Sequence, residues 1–146
     1  IKYGGQFPIW VAVELFTFGM LGSLFDLMRE NDQRAVSREY NLSPESLSRL
    51  IASAVDVRNI CAHYNRLYNR VLDDQPLLPN RLRLYESDRL FPLLLAFAHI
   101  LGRERVLNRL ITGLSLLEAD FPEADLSLCG FPEDWRSILE AEAAQS

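Results

Sequence analysis

Cysteine and histidine are both scarce in this chain, with two of each among 146 residues. Cys61 and Cys129 lie far apart and make none of the short spacings of metal sites, so two free thiols in a reducing cytosol are expected. A disulfide scaffold and a cysteine–histidine metal centre are excluded together. No uninterrupted apolar run reaches the roughly 18 residues that a membrane helix needs. Phe7 to Leu27 comes nearest, but Glu14 and Asp26 interrupt it, so it is read as a buried helix. No secretory signal, glycine-rich phosphate loop or serine-triad signature occurs. No segment has convincing strand character and no internal repeat is found, which leaves an all-α bundle.

Acid and base are unevenly placed. The formal net charge is −5, which by itself argues against a nucleic-acid partner. From Glu118 onward, however, eight acidic residues accompany one basic residue, Arg136, whereas residues 1–117 carry 14 basic and 12 acidic residues. Between Arg58 and Arg89 there are six arginines and four acids. A local basic patch is what phosphate contact requires, and whole-chain charge does not exclude it. Residues 1–146 are long enough for a single helical domain with a real core, and 118–146 form its acidic C-terminal segment. The first residue is Ile and not Met, so the chain is read as part of a longer protein.

Helix signals follow one another along the chain. Pro8 is placed to open a helix running to about Met28, whose apolar circumference marks it as the central core helix. Gly19 and Gly22 weaken that helix and imply close approach of a neighbour. Asn31 or Asp32 can cap a short helix ending near Tyr40, with Asn41 as its stop. Ser43-Pro44-Glu45 is a cap, a proline at the first position and an acid in the first turn; no Gly or Pro follows until Pro76. One helix from Pro44 to about Val71 is therefore expected. Asp73 to Asn80 is a loop, and Arg81 to Tyr85 an extended piece or a helical turn. Asp88 to Leu101, ended by Gly102, Arg103 to Leu117 and Glu133 to about Ala143 are further helices. Phe121 to Pro132 is irregular, and Trp135 and Ile138 dock the last helix.

The functional signal lies in Arg58 to Arg70, RNICAHYNRLYNR. On a continuous helix Val57, Ile60, Cys61, Tyr64, Leu67, Tyr68 and Val71 share one apolar side. Arg58, Asn59, His63, Arg66, Asn69 and Arg70 share the other, with no carboxylate among them. A solvated face usually mixes both signs, whereas this one is suited to an anion. Histidine ordinarily titrates near neutrality and can give or take a proton. Arginine can hold a phosphate bidentately and stabilise charge developing on it.

Arg58 and His63 also make the R-x4-H pattern of the HEPN superfamily of helical ribonucleases. Four stretches, Phe7-Pro8-Ile9-Trp10, Glu14 to Gly19, Arg58 to Arg70 and Cys129-Gly130-Phe131-Pro132-Glu133-Asp134-Trp135, resemble in order the C-terminal part of the Abi-like proteins of the AbiD/AbiF type, which are bacterial abortive-infection proteins of phage defence. The resemblance implies a HEPN-like helical bundle in the cytoplasm and a metal-independent endoribonuclease without cofactor. It implies RNA as partner, no membrane, and a homodimer whose paired motifs form one composite site. Arg58, Asn59 and His63 are then the catalytic candidates, and Arg66, Asn69 and Arg70 the RNA-binding ones. The RNA sequence, the trigger and any inhibitory RNA, guide RNA or antitoxin stay open.

Plainer readings stand beside these. The same fold can serve as a non-catalytic RNA-binding or dimerisation module. His63 can be a structural histidine, and Arg58 can pair with Asp56 or Glu45. Tyr64 and Tyr68 can stack on bases, but their helical position favours the core. His99 is read as a core or interface residue, the acidic tail as a solvated surface or a mask over the basic stripe, and Arg103, Arg105 and Arg109 as an exposed helix face.

Overall fold

A computed structural model describes residues 8, 11, 14, 16–101 and 104–144. Its elements, in order, are α1 (Phe18–Leu27), α2 (Glu30–Arg38), α3 (Pro44–Ala62), a 3-10 turn (Asn80–Tyr85), α4 (Phe91–Leu101), α5 (Glu104–Asp120), a second 3-10 turn (Leu126–Cys129) and α6 (Trp135–Ala143). No strand occurs among the described residues; the fold is an all-α bundle. No helix among them is long and apolar enough to cross a membrane.

The signals at the start of α3 act as read from sequence. Ser43 Oγ accepts from the Ser46 N–H at 3.0 Å, Pro44 occupies the first turn and Glu45 follows it. One side of α3 then buries Leu47, Leu50, Ser53, Ala54 and Ile60. Its neighbour α1 packs along it at the two glycines. A Cβ at Gly22 would come 3.1 Å from Ile51 Cγ2, and one at Gly19 would come 3.7 Å from Val55 Cγ1. Close helix approach is thus the return for the lost helix propensity.

Two expectations are corrected here. A single helix from Pro8 to Met28 is not formed. Thr17 is extended (φ −70°, ψ 161°) and its side chain accepts from the Met20 N–H at 3.3 Å, so α1 starts afresh at Phe18. Threonine competes for a helix N-cap more readily than it sits in a helix interior, which explains the break. Nor is this segment the central helix. Of α1 only Phe25 is buried, and Phe18, Met20, Leu21 and Leu27 are exposed. Trp10, Val13 and Leu15 lie outside the described residues.

The centre is α4, whose Phe91, Leu93, Leu95 and Ala98 are almost wholly buried. Pro92 is its second residue, where a missing N–H costs nothing. It packs against α3 and α6, and α5 closes the bundle against α6. Aromatic rings extend this core: Tyr85 meets Phe91 edge-on at 5.9 Å, Phe91 meets Phe131 at 5.0 Å, and Phe131 meets Trp135 edge-on at 5.7 Å between centroids. On α6 the buried apolar residues Trp135 and Leu139 face the core, with Ile138 packed beside them. Residues 81–85 are a helical turn and not an extended piece.

The helices α2 and α3 end in the same way. Past α2, Leu42 N–H reaches the Ser37 carbonyl at 3.0 Å, Asn41 N–H reaches that of Arg38 at 3.1 Å, and Asn41 is left-handed with φ 54°. Past α3, Asn65 N–H reaches the Ile60 carbonyl at 3.0 Å, Tyr64 N–H reaches that of Cys61 at 3.1 Å, and Tyr64 has φ 54°. Both are Schellman stops. The predicted continuation of α3 to Val71 therefore fails at His63, its C-cap. Asn41 announces its stop in the sequence, whereas Tyr64 occupies a position that usually demands Gly or Asn and announces nothing.

Candidate functional site

That stop decides the geometry of the motif. Arg58, Asn59 and His63 are exposed and share the last two turns of α3. Arg58 Nη1 donates to Asn59 Oδ1 at 3.0 Å, and the Asn59 carbonyl accepts the His63 backbone N–H at 3.1 Å. Arg58 keeps its route to water and pairs with neither Asp56 nor Glu45; the latter is 3.9 Å from Arg49 instead. No carboxylate occurs in the sequence between Val57 and Leu72, and among the described residues Arg58, Arg66 and Arg70 form no ion pair. The three guanidiniums on this part of the chain therefore have no carboxylate partner among the described residues.

Arg66, Asn69 and Arg70 are exposed but not helical, so the expected six-residue stripe on one helix face does not exist. They lie on the segment that leaves His63, and that segment is fixed by long-range contacts. The Tyr68 hydroxyl accepts from the Asp125 N–H at 3.0 Å and donates to the Asp125 carbonyl at 3.2 Å. Asn69 N–H points at Cys129 Sγ (3.4 Å), while Asn69 Oδ1 accepts from Arg89 Nη1 at 2.9 Å. Leu72, buried, donates its N–H to the Asp88 carbonyl at 2.9 Å. The expected apolar side fails likewise beyond Ile60: Cys61, Tyr64, Tyr68 and Val71 are exposed, Tyr64 to 98%. Both cysteines are free thiols.

Residues 2–69 match a family model described as Abi-like protein. Over this stretch the chain is similar to the Abi-like family. The match takes in three of the four resembling segments and ends one residue before Arg70. No curated protein and no solved structure matches the chain.

The fourth segment lies outside that match and contacts the strap that follows His63. Phe131 and Trp135 are core rings, and Cys129 is buried against the backbone of Asn69. Gly130 is left-handed at φ 83°, and a Cβ there would stand 2.8 Å from Arg89 Cβ. The missing side chain lets Arg89 pass and reach Asn69. Asp125 stabilises the same corner: hydrogen bonds from Ser127 side chain and backbone hold its carboxyl below the usual range.

A cleft of about 340 Å³ between α1 and α3 ends at Asn59. It is lined in part by Asp26, Asp56 and Asp74, with Ser48 donating to Asp26 at 2.7 Å. Three carboxylates make it a poor seat for phosphate.

A second polar cluster escaped the sequence reading. Arg81 forms a bidentate pair with Glu142, and His99 Nδ1 lies 2.8 Å from Glu142 Oε1 and 3.2 Å from Arg81 Nη2. Glu142 is only 2% exposed, although it belongs to the acidic segment read as solvated. Burial pushes its carboxyl up, but hydrogen bonds and charge from Arg81 and His99 together outweigh that and hold it below its ordinary value. His99 faces a cavity of only about 10 Å³ lined by apolar residues such as Leu50, Ala96 and Ile100. The cluster ties α6 to α4 and to the 3-10 turn. The lone histidine on an apolar helix was its one sequence signal.

Proposed function

We propose that the chain is a metal-independent endoribonuclease of the HEPN type, acting in abortive infection as a phage-defence toxin. The observation that supports it is the grouping of Arg58, Asn59 and His63, all exposed, at the end of α3 within the Abi-like stretch. In this mechanism His63 takes the proton of a ribose 2′-OH. The 2′-oxygen bonds to phosphorus, the bond from phosphorus to the 5′-oxygen breaks, and that oxygen receives a proton. The products are a 2′,3′-cyclic phosphate and a 5′-hydroxyl. Arg58 holds the phosphoryl oxygens through the charge build-up, and Asn59 fixes the direction of the guanidinium. Arg66 and Arg70 carry the adjoining phosphates.

One imidazole does not give and take a proton in the same step. A second copy of the chain, related by a two-fold axis along this helix end, supplies a second His63 to a shared phosphate. Specific activity then falls on dilution through the dimer dissociation range.

The decisive experiment is cleavage of an end-labelled single-stranded RNA by the purified chain. Activity persists in EDTA, the new ends are 2′,3′-cyclic phosphates, and His63→Ala lowers the rate at least about a hundredfold with RNA affinity retained. Strict Mg²⁺ dependence with 3′-hydroxyl ends refutes the mechanism. Binding without cleavage by the parent chain leaves the non-catalytic RNA-binding module as the correct reading.

A further inference from the structure

Tyr64 breaks two rules at once. It is 98% exposed, although it is an aromatic residue four positions past the buried Ile60. It is also left-handed, with φ 54°, although a bulky side chain disfavours that conformation. The chain itself provides the comparison: the equivalent stop after α2 is made by Asn41, which tolerates the left-handed region. Helix termination therefore does not explain a tyrosine. An observed backbone outlier next to a candidate catalytic residue points to function.

The surroundings indicate what the ring meets. Tyr64 directly follows His63, and Asn65 and Arg66 follow it on an exposed segment without carboxylates. Its own N–H and that of Asn65 are locked to Cys61 and Ile60, so the ring is carried by a fixed backbone. A presented aromatic beside cationic groups is the arrangement with which proteins hold unpaired nucleobases. The bases of a duplex have both faces covered by their neighbours, and such a ring gains nothing from them.

We propose that Tyr64 is a nucleobase-stacking residue and that the substrate class of this site is therefore single-stranded RNA with an unpaired base next to the cleaved phosphate. The proposal rests on the ribonuclease reading above and adds the substrate class to it. Tyr64 positions and selects the strand; it takes no part in proton transfer.

The test is binding of a fluorescein-labelled 12-nucleotide single-stranded RNA, and of its duplex with the complement, in a His63→Ala background. Tyr64→Ala weakens single-strand binding about tenfold, Tyr64→Phe and Tyr64→Trp stay within about twofold, and duplex binding does not change. Tyr64→Gly, which suits the left-handed backbone, loses the same tenfold without any fall in melting temperature, which separates lost stacking from lost folding. Single-strand affinity unaffected by Tyr64→Ala overturns the proposal, as does an equal loss in Tyr64→Phe. Dissociation of a dimer by Tyr64→Ala with unchanged affinity per protomer also overturns it, and assigns the ring to a protein contact. The two readings fail separately: a parent that binds RNA through Tyr64 but never cleaves it refutes the ribonuclease, and a parent that cleaves with KM indifferent to Tyr64→Ala refutes stacking. A parent that neither binds nor cleaves refutes both.

Discussion

Replacing Tyr64 by glycine stabilises the fold. Three contributions set the size of the change. A left-handed backbone at a residue bearing a Cβ costs about 1–2 kcal/mol, and glycine removes that cost. Glycine in turn makes the unfolded chain more flexible, which takes back about 0.5–1 kcal/mol. The third contribution, lost side-chain burial, is close to nil because the ring is 98% exposed. The balance is a gain of about 0.5–1 kcal/mol, or about 2–3 °C in Tm for a chain of this size. Thermal unfolding followed at 222 nm, with urea unfolding as a second measure, resolves a change of that order. Asn41→Tyr supplies the mirror experiment, since it places a bulky residue at the matching stop with φ 54° and is expected to cost about 1 kcal/mol. If Tyr64→Gly instead destabilises by more than 1 kcal/mol, the ring is packed against something, and both the strain argument and the exposed stacking platform are wrong.

Gly130→Ala is expected to destabilise by about 3 kcal/mol, because its Cβ meets Arg89 Cβ at 2.8 Å and Ser87 Oγ at 3.0 Å on a left-handed backbone; an unchanged urea midpoint refutes this. Arg58→Lys is expected to lower the cleavage rate about tenfold or more at constant Tm, since a point charge does not reproduce a bidentate grip, and equal rates for the two proteins refute that role. Glu142 gives a pH prediction of definite sign. Its carboxyl is held below the ordinary value of 4.5, so the folded state binds fewer protons than the unfolded one. The stability it contributes is complete above that value and is lost as pH falls through and below it. Urea unfolding from pH 7 to pH 3.5 is therefore steeper in pH for the parent than for Glu142→Gln, and parallel curves refute it.

Local signals predicted the elements that local physics controls. Ser43-Pro44-Glu45 opens α3, Asn41 stops the chain after α2, and Pro92 sits in the first turn of α4, each for a reason that a few neighbouring residues contain. What was not legible depends on distant partners. Apolar circumference favoured the N-terminal helix as the centre, yet α4 takes that place because α3 and α6 both cover it. The cluster of Arg81, His99 and Glu142 joins residues from three elements, and no spacing in the chain announces it.

The candidate site divides along the same line. Arg58, Asn59 and His63 stay together on α3 as their spacing implies, because that spacing is local and the chain is helical as far as His63. Arg66, Asn69 and Arg70 were assigned to the same helix because nothing from Tyr64 to Val71 forbids one. A left-handed tyrosine and anchors at Asp125, Cys129 and Arg89 override that propensity. The consequence is physical and not only a matter of description. A continued helix would have carried Tyr64 into the core with Ile60 and kept the guanidiniums in a rigid row. The stop instead leaves His63 at a helix terminus, turns Tyr64 outward beside it, and hangs Arg66 and Arg70 on a strap fastened to the C-terminal segment. An R-x4-H helix face alone can grip one phosphate; a terminal histidine with an aromatic ring on one side and a fixed cationic strap beyond it has the parts to hold a strand.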